Sequence, residues 1–84
     1  MFLGDGQVRI ESTGDGWYLL ENIMTQEKIK ISYLDLDYIS GVNSTSYCCK
    51  VIYYKDECEV INTQSQDSIY LSYGELERLK LYLR

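Results

Sequence analysis

Polar and apolar residues alternate from Gln7 to Ser12, with Val8 and Ile10 set between Gln7, Arg9 and Glu11. A period of two is the signature of a strand with one buried face. Gly14-Asp15-Gly16 breaks the pattern as a turn, because glycine reaches positive φ without steric cost. Trp17 to Ile23 predicts a second strand, Thr25-Gln26-Glu27 a second turn, and Lys28-Ile29-Lys30-Ile31 a third strand. Ser32 then predicts a helix N-cap: its hydroxyl can accept from the amide of Asp35 while that acid reaches back. The helix is short, with Gly41 as its C-terminal stop.

The same order returns after the loop Gly41-Val42-Asn43-Ser44-Thr45. Tyr47 to Tyr54, rich in β-branched and aromatic residues, predicts a strand. Lys55-Asp56-Glu57 turns it into Cys58 to Asn62. Ser65-Gln66-Asp67 leads to Ile69-Tyr70-Leu71, and Ser72 with Glu75 repeats the capping box. The second helix runs from Tyr73 towards Arg84, with Leu76, Leu79 and Leu83 along one stripe. Glu75 and Glu77 near its start and Lys80 and Arg84 near its end suit the helix dipole.

A shift of forty residues superposes these halves. Asn22 falls on Asn62, Gln26 on Gln66, Ile29 on Ile69, Ser32 on Ser72, Tyr33 on Tyr73 and Leu36 on Leu76. Conservative pairs lie between them: Thr25/Ser65, Glu27/Asp67, Ile31/Leu71, Asp35/Glu75, Asp37/Glu77 and Ile39/Leu79. Capping alone explains shared Ser and acid, but not shared Asn and Gln, which favours a duplication of 7–41 and 47–84. The expected fold is α+β, one domain over 1–84. A duplicated β-β-β-α unit supplies six antiparallel strands, in one sheet or two. Two helices, a short first and a longer C-terminal one, cover one face. Hairpin connections exclude a mainly parallel sheet.

One-sided helix cover selects Val8, Ile10, Leu20, Ile29, Ile31, Val60, Ile69 and Leu71 for the core. It turns Lys28, Lys30, Leu19, Ile23, Ile61 and Tyr70 outwards. In the 47–54 strand, Cys49, Val51 and Tyr53 share one parity and Cys48, Ile52 and Tyr54 the other. Either parity brings apolar surface to the open face of the second half, which marks a contact site.

Composition narrows the chemistry. The chain has 84 residues, a hydrophobic share of 45% and a charged share of 25%, a globular composition for one small domain. Lys+Arg is 8 against 13 Asp+Glu, a net charge of −5, which opposes general binding to nucleic acid or anionic membranes. The absence of His removes the commonest general base and zinc ligand and excludes Ser–His and Cys–His catalysis. Neither a signal peptide nor an apolar run of spanning length is legible, so a cytoplasmic protein is expected, in the host cytoplasm if it is phage-encoded. Cys48, Cys49 and Cys58 are then reduced thiols. Adjacent cysteines in a strand point to opposite faces, so one buried and one exposed is expected, with no metal and no cofactor.

Asp35, Asp37, Glu75 and Glu77 lie in first helical turns. Capping accounts for them, and a surface acidic patch imitating phosphate spacing is the functional alternative. Gly-Asp-Gly at 4–6 and 14–16 lacks the order of a phosphate-binding loop and reads as turns. The nine tyrosines against one Phe are the most unusual feature. Tyrosine suits strands and half-buried edges, but it also anchors interfaces. The expected contact residues are Ile52, Tyr54, Ile61 and Tyr70.

The expected function is therefore that of a non-enzymatic protein-binding module. In size, acidity and tyrosine content the chain resembles, in type only, small phage and mobile-element inhibitors of host nucleic-acid enzymes. That resemblance implies occlusion of a partner surface or DNA-like charge. The duplicated strand–helix order also resembles single-strand-binding transcription coactivators, which would imply an aromatic stacking face. That alternative requires Lys28, Lys30, Lys50 and Lys55 to gather beside the tyrosines. A homodimeric assembly protein is the third reading.

Overall fold

The computed structural model describes residues 2–3 and 7–82. Seven strands and two helices follow the expected α+β order: β1 (Phe2–Leu3), β2 (Val8–Ser12), β3 (Trp17–Asn22), β4 (Lys28–Ser32), α1 (Tyr33–Ile39), β5 (Cys49–Tyr53), β6 (Glu57–Asn62), β7 (Ser68–Ser72) and α2 (Tyr73–Tyr82). They form two antiparallel sheets, β1-β2-β3-β4 and β5-β6-β7. The seventh strand is β1, which pairs Phe2 with Arg9 and Leu3 with Val8. Two residues carry no period, so no pattern announced it. Gly4, Asp5, Gly6, Leu83 and Arg84 lie outside the described residues.

Each sheet turns one face to a shared core. Leu3, Val8, Ile10, Leu20, Ile29 and Ile31 meet Cys49, Cys58, Val60, Ile69 and Leu71, with Leu36 and Ile39 of α1 and Leu76 and Leu79 of α2. All eight core residues expected from alternation are in this cluster, because a period-two strand has only two registers and only one of them is apolar. The inward parity of β5 is that of Cys49 and Val51. Tyrosine divides between roles: Tyr18, Tyr38, Tyr73 and Tyr82 pack against the core, while Tyr33, Tyr47, Tyr53, Tyr54 and Tyr70 are exposed.

The two long hairpins close alike. Asn22 Oδ1 accepts from the amides of Met24 (2.9 Å) and Thr25 (3.2 Å), and Asn62 Oδ1 from those of Gln64 (2.9 Å) and Ser65 (3.1 Å). Asn thus holds the turn through its side chain, a local reason for its recurrence that the repeat had hidden. Gln26 (φ 64°) and Gln66 (φ 67°) occupy the left-handed region, which Gly or Asn fills at lower cost, and Gln66 Nε2 donates to the Thr63 carbonyl of its own turn (2.8 Å). Asn62 Nδ2 also donates to the carbonyl of Lys30 (2.7 Å), tying the turn of one sheet to β4 of the other.

Both capping boxes form. Ser72 Oγ accepts from the Glu75 amide (3.1 Å) while Glu75 Oε1 accepts from the Ser72 amide (2.8 Å). At α1 the box is buried and goes further. Asp35, 0% exposed, accepts from Ser32 N (3.1 Å), Ser32 Oγ (2.7 Å), Tyr47 N (2.9 Å), Cys48 N (3.0 Å) and the Cys48 thiol (3.3 Å). Burial pushes this carboxyl up, but the Cys48 amide and the Ser32 hydroxyl and amide outweigh burial and hold it below the ordinary carboxylate range. These bonds correct two expectations. Cys48 and Cys49 are both buried, because Cys48 precedes β5 and turns to Asp35 and so escapes strand alternation. Asp35 and Glu75 are buried as well, so neither can belong to a surface acidic patch; Asp37 is half-buried and Glu77 exposed.

Two stability predictions follow from these caps. Ser72→Ala removes one exposed cap and should cost about 1 kcal/mol, whereas Ser32→Ala also strips a donor from a buried carboxylate and should cost about 2 kcal/mol or more. Thermal melts should then separate the two variants by roughly 4–8 °C. The folded Asp35 carboxyl lies below its unfolded value, so its contribution is complete above about pH 4 and fades as pH falls through the folded value. Asp35→Asn should lower stability at pH 7 and flatten the acid limb, as urea titrations at pH 7 and pH 3 would show.

Candidate protein-binding face on the second sheet

The face of β5-β6-β7 turned from the core is built by register. Lys50 pairs with Ile61 and Ile61 with Ser68; Ile52 pairs with Glu59 and Glu59 with Tyr70; Glu57 pairs with Ser72. The Tyr54 amide donates to the Glu57 carbonyl (2.8 Å), which extends the ladder by one residue. Ile52, Tyr54, Ile61 and Tyr70, the four residues singled out from sequence, therefore share one face. Ile52 and Ile61 are half-buried, and Tyr54 and Tyr70 are 46% and 39% exposed.

The two rings lie 6.3 Å apart, tilted by 35°. The Tyr54 hydroxyl donates to Glu59 Oε1 (3.0 Å), and the Tyr73 hydroxyl donates to the Tyr54 carbonyl, so α2 holds the β5–β6 hairpin in place. Glu59 is the centre of the face. Its hydrogen bond and charge raise the Tyr54 phenol above its ordinary value, and its charge, with Glu57 and Glu27, raises that of Tyr70. The field at the rings is negative. Sequence reasoning gave Glu57 only a turn and Glu59 no role, although both share the parity of Ile61 and alternation alone places them beside it.

A cavity of about 540 Å³ adjoins the rings, where the β3–β4 turn meets β7 and the start of α2. Its lining includes Glu27, Asp56, Glu57, Tyr70, Ser72 and Glu75. A second depression shares Asp56, Glu57 and Tyr70 and reaches Tyr54 and Lys55, so the tyrosine face runs into the cavity.

The outer face of the first sheet mixes charged and apolar side chains, with the half-buried Leu19 set between Glu11 and Lys30, as expected outward, and the exposed Phe2 beside Arg9. Arg9 stands beside Glu21 and Glu21 beside Lys28, with Arg9 Nη2 at 2.6 Å from Glu21 Oε1 and Arg9 Nε at 3.4 Å from Glu11 Oε1. Lys30 lies 3.9 Å from Asp15 and 5.6 Å from the Trp17 ring centre, and Trp17 meets Tyr47 edge-on at 6.1 Å. This Trp17–Tyr47–Lys30 group, 30 residues apart in the chain at its widest, had no sequence signal. The four lysines that nucleic-acid binding would gather are split: Lys28 and Lys30 on one sheet, Lys50 on the other, and Lys55 in the turn beside Tyr54.

The thiols offer little chemistry. All three are free and buried. Burial, then Asp35, pushes Cys48 up to about 11 and Cys49 up to about 12, and burial also raises Cys58. Almost no thiolate exists at neutral pH, and the thiolate is the nucleophile. Among the described residues no group of three Cys, Asp or Glu is placed to hold a metal ion, and no helix is long and apolar enough to cross a membrane. The native chain should therefore react with iodoacetamide at pH 7.5 far more slowly than the urea-unfolded chain, by mass spectrometry. Equal rates would show that the thiols are open.

No family model, no curated protein and no solved structure matches the chain.

Proposed function

We propose that the protein is a non-enzymatic protein-binding module that docks through the outer face of β5-β6-β7. The observation that carries this reading is the grouping of Ile52, Tyr54, Ile61 and Tyr70 around Glu57 and Glu59 on the face of β5-β6-β7 turned from the core. Aromatic and aliphatic anchors flanked by acids suit a partner surface that is apolar at its centre and basic around it. Enzymes that handle nucleic acids present such basic surfaces, which favours a small inhibitor of one of them, acting in the cytoplasm. Direct nucleic-acid binding is disfavoured by the net charge of −5 and the divided lysines.

The halves 7–41 and 47–84 are proposed to derive from one duplicated β-β-β-α unit with its helices on one face. The two left-handed glutamines at equivalent places support this, since Gly or Asn fills that conformation at lower cost.

Tyr54→Ala and Tyr70→Ala should each weaken the partner by about thirtyfold, the weight of a 2 kcal/mol anchor. Lys28→Ala and Glu11→Ala on the other sheet should leave affinity unchanged. The assay is affinity capture from lysate of the native host, before and after nuclease treatment, then titration of the captured protein against each variant. Loss of capture on nuclease treatment would favour the nucleic-acid reading. A dimer by light scattering that Tyr70→Ala dissociates would make the face a homodimer seam.

A further inference from the structure

The cavity beside Tyr70 gathers four carboxylates: Glu27 from the β3–β4 turn, Asp56 and Glu57 from the β5–β6 hairpin, and Glu75 from the first turn of α2. Glu75 is the telling member. It is 7% exposed, its Oε1 is committed to the Ser72 amide, and its Oε2 is buried with no hydrogen-bond partner among the described residues. A buried carboxylate oxygen without a donor is costly. Asp35, at the equivalent place in the other capping box, shows what such an oxygen takes: its Oδ1 accepts from two amides, those of Tyr47 and Cys48. Glu75 holds the same position in the fold and lacks that complement.

The missing donor has a definable chemistry. Its surroundings are anionic, so it is a cation. Among the described residues no three carboxylates are placed to hold a metal ion, which favours a cation that spreads its charge over several donors. The positive end of α2 is already met by Glu75, and the attraction comes from Glu27, Asp56 and Glu57 around it. A guanidinium has five N–H donors in a flat fork and stacks on an aromatic ring, here that of Tyr70.

We propose that this cavity is an arginine-binding site, taking an arginine side chain of the protein partner that docks on the adjoining tyrosine face. The inference rests on the docking reading above and deepens it: the rings grip the surface, and the cavity reads one cationic side chain.

The test uses the full chain, labelled with 15N, titrated with N-acetyl-arginine amide. N-acetyl-citrulline amide, its neutral isostere, and N-acetyl-lysine amide are run beside it. Arginine amide should move the amide signals of Ser72, Glu75, Tyr70 and Glu57, and citrulline amide should not. Glu75→Gln keeps an acceptor for the Ser72 amide and should preserve the fold, as its spectrum would show, while weakening arginine binding at least about tenfold. Lysine amide should bind more weakly than arginine amide. Equal shifts with citrulline amide, or an unchanged response in Glu75→Gln, would overturn the proposal. Should Glu75→Gln misfold, Glu57→Gln and Asp56→Asn on the exposed side carry the same test, and an unchanged response in both would equally overturn it. Partner capture that depends on Tyr54 but not on Glu75 would sink the arginine site and leave the docking face standing. An arginine response without any Tyr54-dependent partner would sink the docking reading and leave the cation site.

Discussion

The carboxylate of Asp35 joins the two halves of this molecule. It sits at the third position of α1, where it completes the capping box with Ser32, and it also takes the amides of Tyr47 and Cys48 at the entry to β5. A carboxylate removed from water is tolerable only when its lone pairs are filled. Five donors fill them here. The loop 41–48 is therefore led back to the start of α1, and that return sets where the second sheet begins. Asn62 supplies a second tie by bonding the Lys30 carbonyl, so one carbonyl of β4 is met by the turn of the other sheet. The shared apolar core holds the two sheets together, and these filled polar sites fix how they are joined.

Much of this fold was legible in the sequence because strand parity is a two-way choice. Val8, Ile10, Ile29, Ile31, Ile69 and Leu71 had one sensible side, and both serine caps were marked by an acid three residues on. What was not legible is long-range. Nothing local says that Asp35 will be buried rather than solvated, since an acid in a first helical turn is favoured in either case. The burial of Cys48 depends on Asp35, so it was hidden for the same reason. β1 is too short to have a period. Asn22 and Asn62 looked like relics of common descent until their side chains were seen to hold the turns, whereas the left-handed Gln26 and Gln66 kept their force as a shared peculiarity.

The candidate face was legible in outline for a different reason. Its residues are defined by what the core does not take: once Cys49, Val51, Cys58, Val60, Ile69 and Leu71 go inward, Ile52, Ile61 and Tyr70 have to go outward. The first sheet resolves the same problem with Arg9, Glu11, Glu21 and Lys28, a neutralised charge ladder that water solvates at little cost. The first sheet sets Leu19 between Glu11 and Lys30 and Phe2 beside Arg9, whereas the second sheet groups Ile52, Ile61, Tyr54 and Tyr70 around two acids, so the halves differ in how apolar and charged side chains are mixed.

Charge and apolar surface on this face also act on each other. Glu59, hydrogen-bonded to Tyr54 and paired with Tyr70, raises both phenols above their ordinary value. A positive group brought to Glu59 would compete for the carboxylate that holds the Tyr54 hydroxyl and release that hydroxyl for the incoming surface. Contact with a basic partner would thereby change the donor set of the face itself. A neutral apolar partner would find Tyr54 still tied back to Glu59, its ring available but its hydroxyl spent. If the proposed partner is basic, the pairing of tyrosine with glutamate would favour it through hydrogen bonding as well as through charge.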